Sequence, residues 1–297
     1  MNKELQFIQI IKNSLTDNSF LGDDCAYLKD LNLCVSSDSL VEDIHFSFST
    51  TNPTLLAKKA LKVNVSDILA SGALPKYATV CLSGKLNENF IKEFYTSIND
   101  CANEFGLKII GGDLTGGEKL TISICAFGDT KNRNISSRKN AQNGYVVALC
   151  GEFGTSAYGL KLLNKNPDDK SPEAEIHLEP LLNSEVANLI ATKAKQKYAM
   201  MDSSDGLVNA LEWISSKSNV GFEIEYDKIP KRAKVSKSQV LFGGEDYSLV
   251  CVLSEQDYKN INHPDLIKVG KAVSNIGIKI DGIDVKTMNR EEFLHFD

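Results

Sequence analysis

The sequence predicts an α+β chain of two lobes. Three observations lead there. Helix-period and strand-period segments follow one another in mixed order in both halves, without the regular alternation of a doubly wound sheet. A polar, basic loop at 129–143, carrying Lys131, Arg133, Arg138 and Lys139, falls between two clear strand patterns and divides the chain into lobes at 1–137 and 138–297. Acid-glycine turns occur on both sides of that loop, which hints at related lobes.

The elements follow in order. Residues 33–36 read as a strand end. Over 53–71, Leu56, Ala60, Val63 and Ala70 keep helical spacing and Gly72 stops the helix. Residues 77–82 form a strand. A second helix over 88–105 carries Phe90, Phe94, Ile98, Cys101 and Phe105 on one stripe, with Gly106 as its stop. A strand at 107–110 leads to Gly111-Gly112-Asp113, read as a turn. In 120–127, Leu120, Ile122, Ile124 and Ala126 alternate with Thr121, Ser123 and Cys125, the pattern of a half-buried strand. Beyond the loop, 145–150 is a buried strand, 155–163, 184–198 and 206–217 are helices, and 164–180 is a second loop. Strands follow at 221–226, 249–253, 266–269 and 276–280.

Composition narrows the function classes. The net charge of -6 argues against sequence-independent nucleic-acid binding, which needs clustered Lys and Arg. No apolar run approaches a membrane span, and residues 1–11 do not read as a signal peptide. The 7 cysteines form no Cys-x-x-Cys pair, and that odd count reads as reduced thiols in a cytoplasmic protein. With 4 histidines and no His-x-x-x-His spacing, a zinc site is not expected. Neither a P-loop nor a protein-kinase glycine loop is present, so any use of ATP rests on another architecture.

The chemistry lies in acidic clusters beside glycine or small polar residues. These are Gly22-Asp23-Asp24, Ser36-Ser37-Asp38, Asn64-Val65-Ser66-Asp67, Gly111-Gly112-Asp113, Asp202-Ser203-Ser204-Asp205-Gly206 and Gly243-Gly244-Glu245-Asp246-Tyr247. Asn64 and Asp67 share one face of an otherwise apolar helix, which turns the acid toward a cleft. An N-cap role accounts for one acid in 202–206 but not for both Asp202 and Asp205. Converging carboxylates without a basic counterpart point to hard cations held by oxygen, several Mg²⁺ ions with a phosphate substrate. Taken singly, His45 and Arg138 read as ordinary structural or solvated side chains.

In their order these motifs resemble the thiamine-monophosphate kinase family. The pieces are Gly22-Asp23-Asp24-Cys25-Ala26, Ser37-Asp38-Ser39-Leu40-Val41-Glu42 with His45-Phe46, Ala60 to Asp67, Gly111-Gly112-Asp113, Asp202 to Leu207, and Gly243 to Tyr247. Single pieces are shared with the wider aminoimidazole-ribonucleotide-synthetase-like superfamily, including selenophosphate synthetase. The resemblance implies two α+β lobes, the N-terminal lobes of two subunits joining in a dimeric β-barrel. It implies direct in-line transfer of the ATP γ-phosphoryl group to thiamine monophosphate, with no protein nucleophile. By position, Asp24, Ser36, Ser37, Asp38, Asp67, Asp113, Asp202 and Asp205 would hold magnesium. Gly112, Asp113, Arg138 and Ser204 would touch ATP, while His45, Glu245 and Phe293 would meet the thiamine phosphate. Asp43 stands where the family usually has Gly, and Phe293 where Tyr or Trp is commoner.

Overall fold

Helix propensity and capping set the element on which both lobes rest. In the computed structural model, which describes residues 3–290, Asn52 caps a helix that has Pro at its first turn, its side chain accepting the Leu55 N–H at 3.0 Å. Before it lie α1 (Lys3–Ser14), β1 (Ala26–Leu28) and β2 (Leu33–Val41). The capped helix itself is α2 (Pro53–Ala70). After it come β3 (Leu74–Gly84), α3 (Glu88–Glu104), β4 (Lys108–Gly116) and β5 (Thr121–Asp129).

The strands form a five-stranded sheet in the order β1-β2-β5-β3-β4, with β3 and β4 parallel and the other pairs antiparallel. Alternation in β5 puts Ile122, Ile124 and Ala126 on the buried face. Leu40, Val80 and Leu82 join Ile122 and Ile124 in the core that α2 and α3 cover. The opposite face carries Ser37, Ser39, Cys81 and Ser123, with the Ser39 and Ser123 hydroxyls 2.6 Å apart.

The second sheet begins at β6 (Val146–Cys150). It continues through α4 (Thr155–Lys165), α5 (Pro172–Leu178), α6 (Ser184–Lys193), β7 (Ala199–Asp202) and α7 (Leu207–Ser218). Then come β8 (Gly221–Ile224), α8 (Lys237–Phe242), β9 (Leu249–Leu253), α9 (Glu255–Ile261), β10 (Ile267–Val273), β11 (Gly277–Ile280) and β12 (Ile283–Asp284). Its seven strands run β12-β11-β8-β10-β6-β9-β7. Both faces of its centre are covered, so β6 and β9 are apolar without a break. Val146, Ala148, Cys150 and Met200 face the core shared with α2, whereas Val147, Leu149, Met201 and Val250 face α7 and α8. Helix α2 thus lies between two sheets, touching β2 and β5 on one side and β7 and α6 on the other. That position explains why it is buried nearly all round and shows little amphipathic stripe.

Several expectations need correction. The strand end at 33–36 is the start of a nine-residue strand that runs to Val41. Gly111-Gly112-Asp113 lies inside β4 and is not a turn; Gly112 is required because a Cβ there would stand 1.7 Å from the Val80 carbonyl oxygen of the paired strand. The loop at 164–180 holds α5, started by Ser171 and Pro172. The helix expected over 184–198 stops at Lys193, and β7 follows as a new strand. Helices α8 and α9 were not anticipated, although the Ser236–Gln239 capping box is legible in the sequence.

Helix α5 packs on α4 at a close backbone approach, beside an apolar cluster of Leu163, Ala174 and Leu178. A Cβ at Gly159 would meet the Glu173 carbonyl oxygen at 2.0 Å, on rigid backbone. Helix propensity favours Gly159→Ala by about 1 kcal/mol, but the clash costs about 1–3 kcal/mol. We expect net destabilisation in chemical denaturation, and a gain in stability would show that α4 and α5 can separate freely.

Candidate active site

The C-terminal turn of α2, the end of β7 and the segment before β1 bring three carboxylates together. Asp24, Asp67 and Asp202 each offer an oxygen, and all of these lie within 4.8 Å of one another. Each acid has its own anchor. Ser36 donates to Asp67 at 2.5 Å, Ser66 donates to Asp202 at 2.5 Å, and Arg138 Nη2 donates to Asp24 at 2.5 Å. Arg138 is itself fixed: its guanidinium lies 5.3 Å from the Trp213 ring centre, and Asp23 accepts the Arg138 N–H (2.8 Å) and the Ser137 hydroxyl (2.9 Å). Asn64 accepts the Asp38 N–H at 2.9 Å and so ties the middle of β2 to α2.

The electrostatics are unfavourable as the side chains stand. Burial, then Asp202, Asp38 and Asp24, push Asp67 well above the ordinary carboxylate range. Burial and the charge of Asp24 raise Asp202 to about 8. Asp24 is also raised, because burial outweighs the opposing Arg138 guanidinium. Carboxylates with nearby serine hydroxyls, and neither His nor Cys in the group, are a donor set suited to a hard divalent cation such as Mg²⁺.

A second group sits toward the N-terminal half of α2. Lys59 Nζ is 3.2 Å from Glu245 Oε1, and His177 Nδ1 is 3.5 Å from Glu245 Oε2. Burial, then the Lys59 ammonium, take His177 down to about 3, so the imidazole is neutral. Burial alone would raise Glu245, but the Lys59 ammonium, with a further contribution from His45, overrides it and holds the carboxyl below its ordinary value. His45 is oriented by the Val41 N–H, which donates to its Nδ1 at 3.0 Å. Asp43, in the same turn, has φ 64°, a left-handed conformation that a glycine would take without strain.

The structure therefore gathers Asp24, Ser36, Asp67, Asp202 and Arg138, with the Asp38 charge acting on them, and joins His45 electrostatically to Glu245. Other expected site residues stand apart within one chain. The register Asp38–Ile124–Val80–Gly112 places Gly112 three strand spacings from Asp38, about 14 Å. Asp113 is exposed next to it and accepts from Thr115 at 3.1 Å. Ser37 donates to the Ile124 carbonyl at 3.0 Å. Asp205 is exposed ahead of α7 and is not in the carboxylate group, while Ser204 accepts the Glu245 N–H on its carbonyl at 2.6 Å. Phe293 lies outside the described residues. Asp246 caps α4, accepting the Gly154 and Ser156 N–H groups at 2.5 and 2.9 Å, so the two acids of its motif divide their roles. Sequence reasoning gives no expectation for Lys59 and His177, and it names Asp23 and Ser66 only as members of the acidic clusters. The available signal was a lysine in an apolar helix, which needs a buried partner.

Comparison with known proteins fits this geometry. Residues 22–130 match the AIR synthase related protein N-terminal domain, and residues 143–282 match the corresponding C-terminal domain. The thiamine-monophosphate kinase of Aquifex aeolicus (strain VF5) is 30% identical, covering 98% of each chain. That of Bacillus subtilis (strain 168) is 31% identical over 89% of this chain and 87% of its own. The chain belongs to the thiamine-monophosphate kinase family. Consistent with membership, the structure of AaThiL complexed with AMPPCP and TMP superposes with a TM-score of 0.88 at 28% identity, covering 99% of this chain and 97% of that one. The two-lobed fold of the family is the fold described above. No helix among the described residues is long and apolar enough to cross a membrane.

The raised carboxyls make stability depend on pH. Between the unfolded value near 3.8 and about 8, folded Asp202 keeps a proton that the unfolded chain has released, so metal-free stability falls as pH rises. Thermal unfolding in chelator should show Tm decreasing from about pH 6 to about pH 8, and Mg²⁺ should raise Tm more at the upper pH. Asp67→Asn should raise the metal-free Tm and abolish the Mg²⁺ increment. A Tm insensitive to both pH and Mg²⁺ would remove the cluster as a cation site.

Proposed function

We propose that this enzyme transfers the γ-phosphoryl group of ATP to thiamine monophosphate, giving thiamine diphosphate and ADP. The observation that carries the reading is the convergence of half-buried Asp24 and Asp67 with buried Asp202 beside Arg138 in a chain whose relatives are thiamine-monophosphate kinases. Phosphoryl transfer asks mostly for alignment and neutralised charge. Mg²⁺ ions held by Asp24, Asp67 and Asp202, with Asp38, Ser36 and Asp205 at the margin, would offset the charge of the phosphates. Arg138 offers a guanidinium fixed by Asp24 and Trp213, a donor suited to a phosphate oxygen. The acceptor's terminal phosphate oxygen attacks the γ-phosphorus in line, and the bond to the bridging oxygen of ADP breaks. No side-chain nucleophile is required, because the acceptor is already an oxyanion.

Two further readings belong to the same proposal. The boundary between lobes lies at 137/138, and the chain works as a cytoplasmic homodimer through its N-terminal lobes. Edge strand β4 exposes Ile110 (57%) and Leu114 (55%), and the sheet face carrying Ser37 and Ser39 is uncovered. Burying that face against a second copy would also explain why Gly112, Asp113 and Ser37 stand apart from the cluster of their own chain. Sedimentation equilibrium should return twice the monomer mass, and a monomer at assay concentration would refute the pairing.

Purified protein with ATP, Mg²⁺ and thiamine monophosphate should form thiamine diphosphate, followed as its fluorescent thiochrome derivative. No product above a heat-killed control overturns the assignment. Asp67→Asn should lower kcat by about 100-fold or more while the protein stays folded by circular dichroism.

A further inference from the structure

Glu245 is held in an unusual way. Its φ of 62° lies in the left-handed region, which residues other than Gly, Asn and Asp seldom occupy. Close packing before it admits only glycine: a Cβ at Gly243 would lie 2.4 Å from the Gln239 carbonyl oxygen, and one at Gly244 2.6 Å from that of Ser204. The backbone so fixed turns the carboxylate toward α2, where it meets Lys59. That lysine is sealed, with 4% of its side chain exposed, whereas 27% of the Glu245 side chain remains open. Lys59 meets one carboxylate oxygen and His177 stands by the other, while part of the side chain stays accessible.

A buried ammonium–carboxylate pair is a poor way to stabilise a fold, since apolar residues of similar volume often do as well or better. Its value lies in fixing where a charge stands. Lys59 precedes Asp67 by two helical turns, about 12 Å along α2 at 1.5 Å per residue. An acceptor whose phosphate rests at the carboxylate cluster would reach this region with its opposite end. In the acceptor proposed above, that end is a cationic thiazolium joined to an aminopyrimidine.

We propose that Lys59, backed by His177, is a positioning residue that holds the Glu245 carboxylate as a fixed anion facing the heterocyclic end of the acceptor. The inference rests on the acceptor reading given under Proposed function. The groups facing Glu245 are Lys59 from α2, His177 from α5 and His45 from the turn after β2, with Tyr247 on its own segment. His177 is neutral and touches the Ser156 hydroxyl at 2.9 Å, so it supports the carboxylate as a dipole. Lys59 is the fixed full charge in direct contact.

The test compares KM for thiamine monophosphate, KM for ATP and kcat from about pH 6 to 9 in the unsubstituted enzyme, Glu245→Gln, Lys59→Met and the double variant. Glu245→Gln should raise the acceptor KM about tenfold at every pH. Lys59→Met should raise it about tenfold at the acid end and progressively less toward the alkaline end, because burial then opposes ionisation of Glu245. In both variants the KM for ATP should stay within about twofold, and the double variant should be no worse than Glu245→Gln. Lys59→Arg should restore a pH-independent KM. A flat profile in Lys59→Met, or losses that multiply in the double variant, would reduce Lys59 to a structural role and overturn the inference. An unchanged acceptor KM in Glu245→Gln would overturn it too. Absence of turnover in the unsubstituted enzyme would instead sink the acceptor reading. If Lys59→Met does not fold, Lys59→Gln carries the same comparison.

Discussion

The constraint on which the rest of the structure depends is the mutual repulsion of Asp24, Asp67 and Asp202. Two unit charges about 4 Å apart repel by about 4 kcal/mol at an effective dielectric of 20. A surface loop would relax such a contact by moving apart. Here none of the three acids can move far. Asp67 sits in the last turns of a helix buried between two sheets, and Asp202 ends a strand whose neighbour β9 is fully buried. Asp24 is clamped by an arginine stacked on Trp213. The shared core of α2, the five-stranded sheet and the β6–β9–β7 part of the second sheet is what keeps like charges together. The lobes are thus joined by the same apolar surface that creates the electrostatic problem.

Helix α2 carries opposite solutions at its two ends. Near its C-terminus the negative charges are only partly met by Arg138, and carboxyls take up protons when no cation is present. Toward its N-terminus Lys59 compensates Glu245 directly, and Lys58 and Lys62 share Glu179 at 3.1 and 2.7 Å. The first end is open in charge and suits cations brought with a polyphosphate. The second is closed in charge and suits recognition of a defined organic group. For the acceptor proposed above, this polarity would leave one direction in which to lie.

Much of this was legible in the sequence, for physical reasons. Asp67 announced itself because an acid in an apolar helix has to face something polar, and the strand-period pattern of 120–127 fixed the buried face of β5. The pairing of Asp202 with Ser66 was not legible, since those residues are far apart in sequence and meet only because β7 packs on α2. Strand β7 is absent from the expected elements, because the short buried Ala199-Met200-Met201 run carries no periodicity that separates strand from helix. Gly111-Gly112-Asp113 was misread for the opposite reason. Glycines usually mark turns, but here Gly112 marks a close approach of two strands. Lys59 and His177 escaped notice because a buried charge is recognised by its partner, and the partner Glu245 stands on another element.

The strand conformation of that glycine pair bears on how the site is completed. A turn would have let Asp113 swing toward the carboxylate cluster of its own chain. A strand does not: β4 is locked in register with β3 from Lys108 to Gly116, on the edge of the sheet away from β2. Ser37 is directed away from the cluster by the same logic, since it alternates with Ser36, whose hydroxyl is on Asp67. The residues that family resemblance assigns to one site are thus divided by the two faces and the width of a rigid sheet. No local rearrangement short of breaking that sheet reunites them within one chain. In the dimer proposed above, a second copy laid against the open face would bring such residues together from two chains, which would make dimer formation part of site assembly.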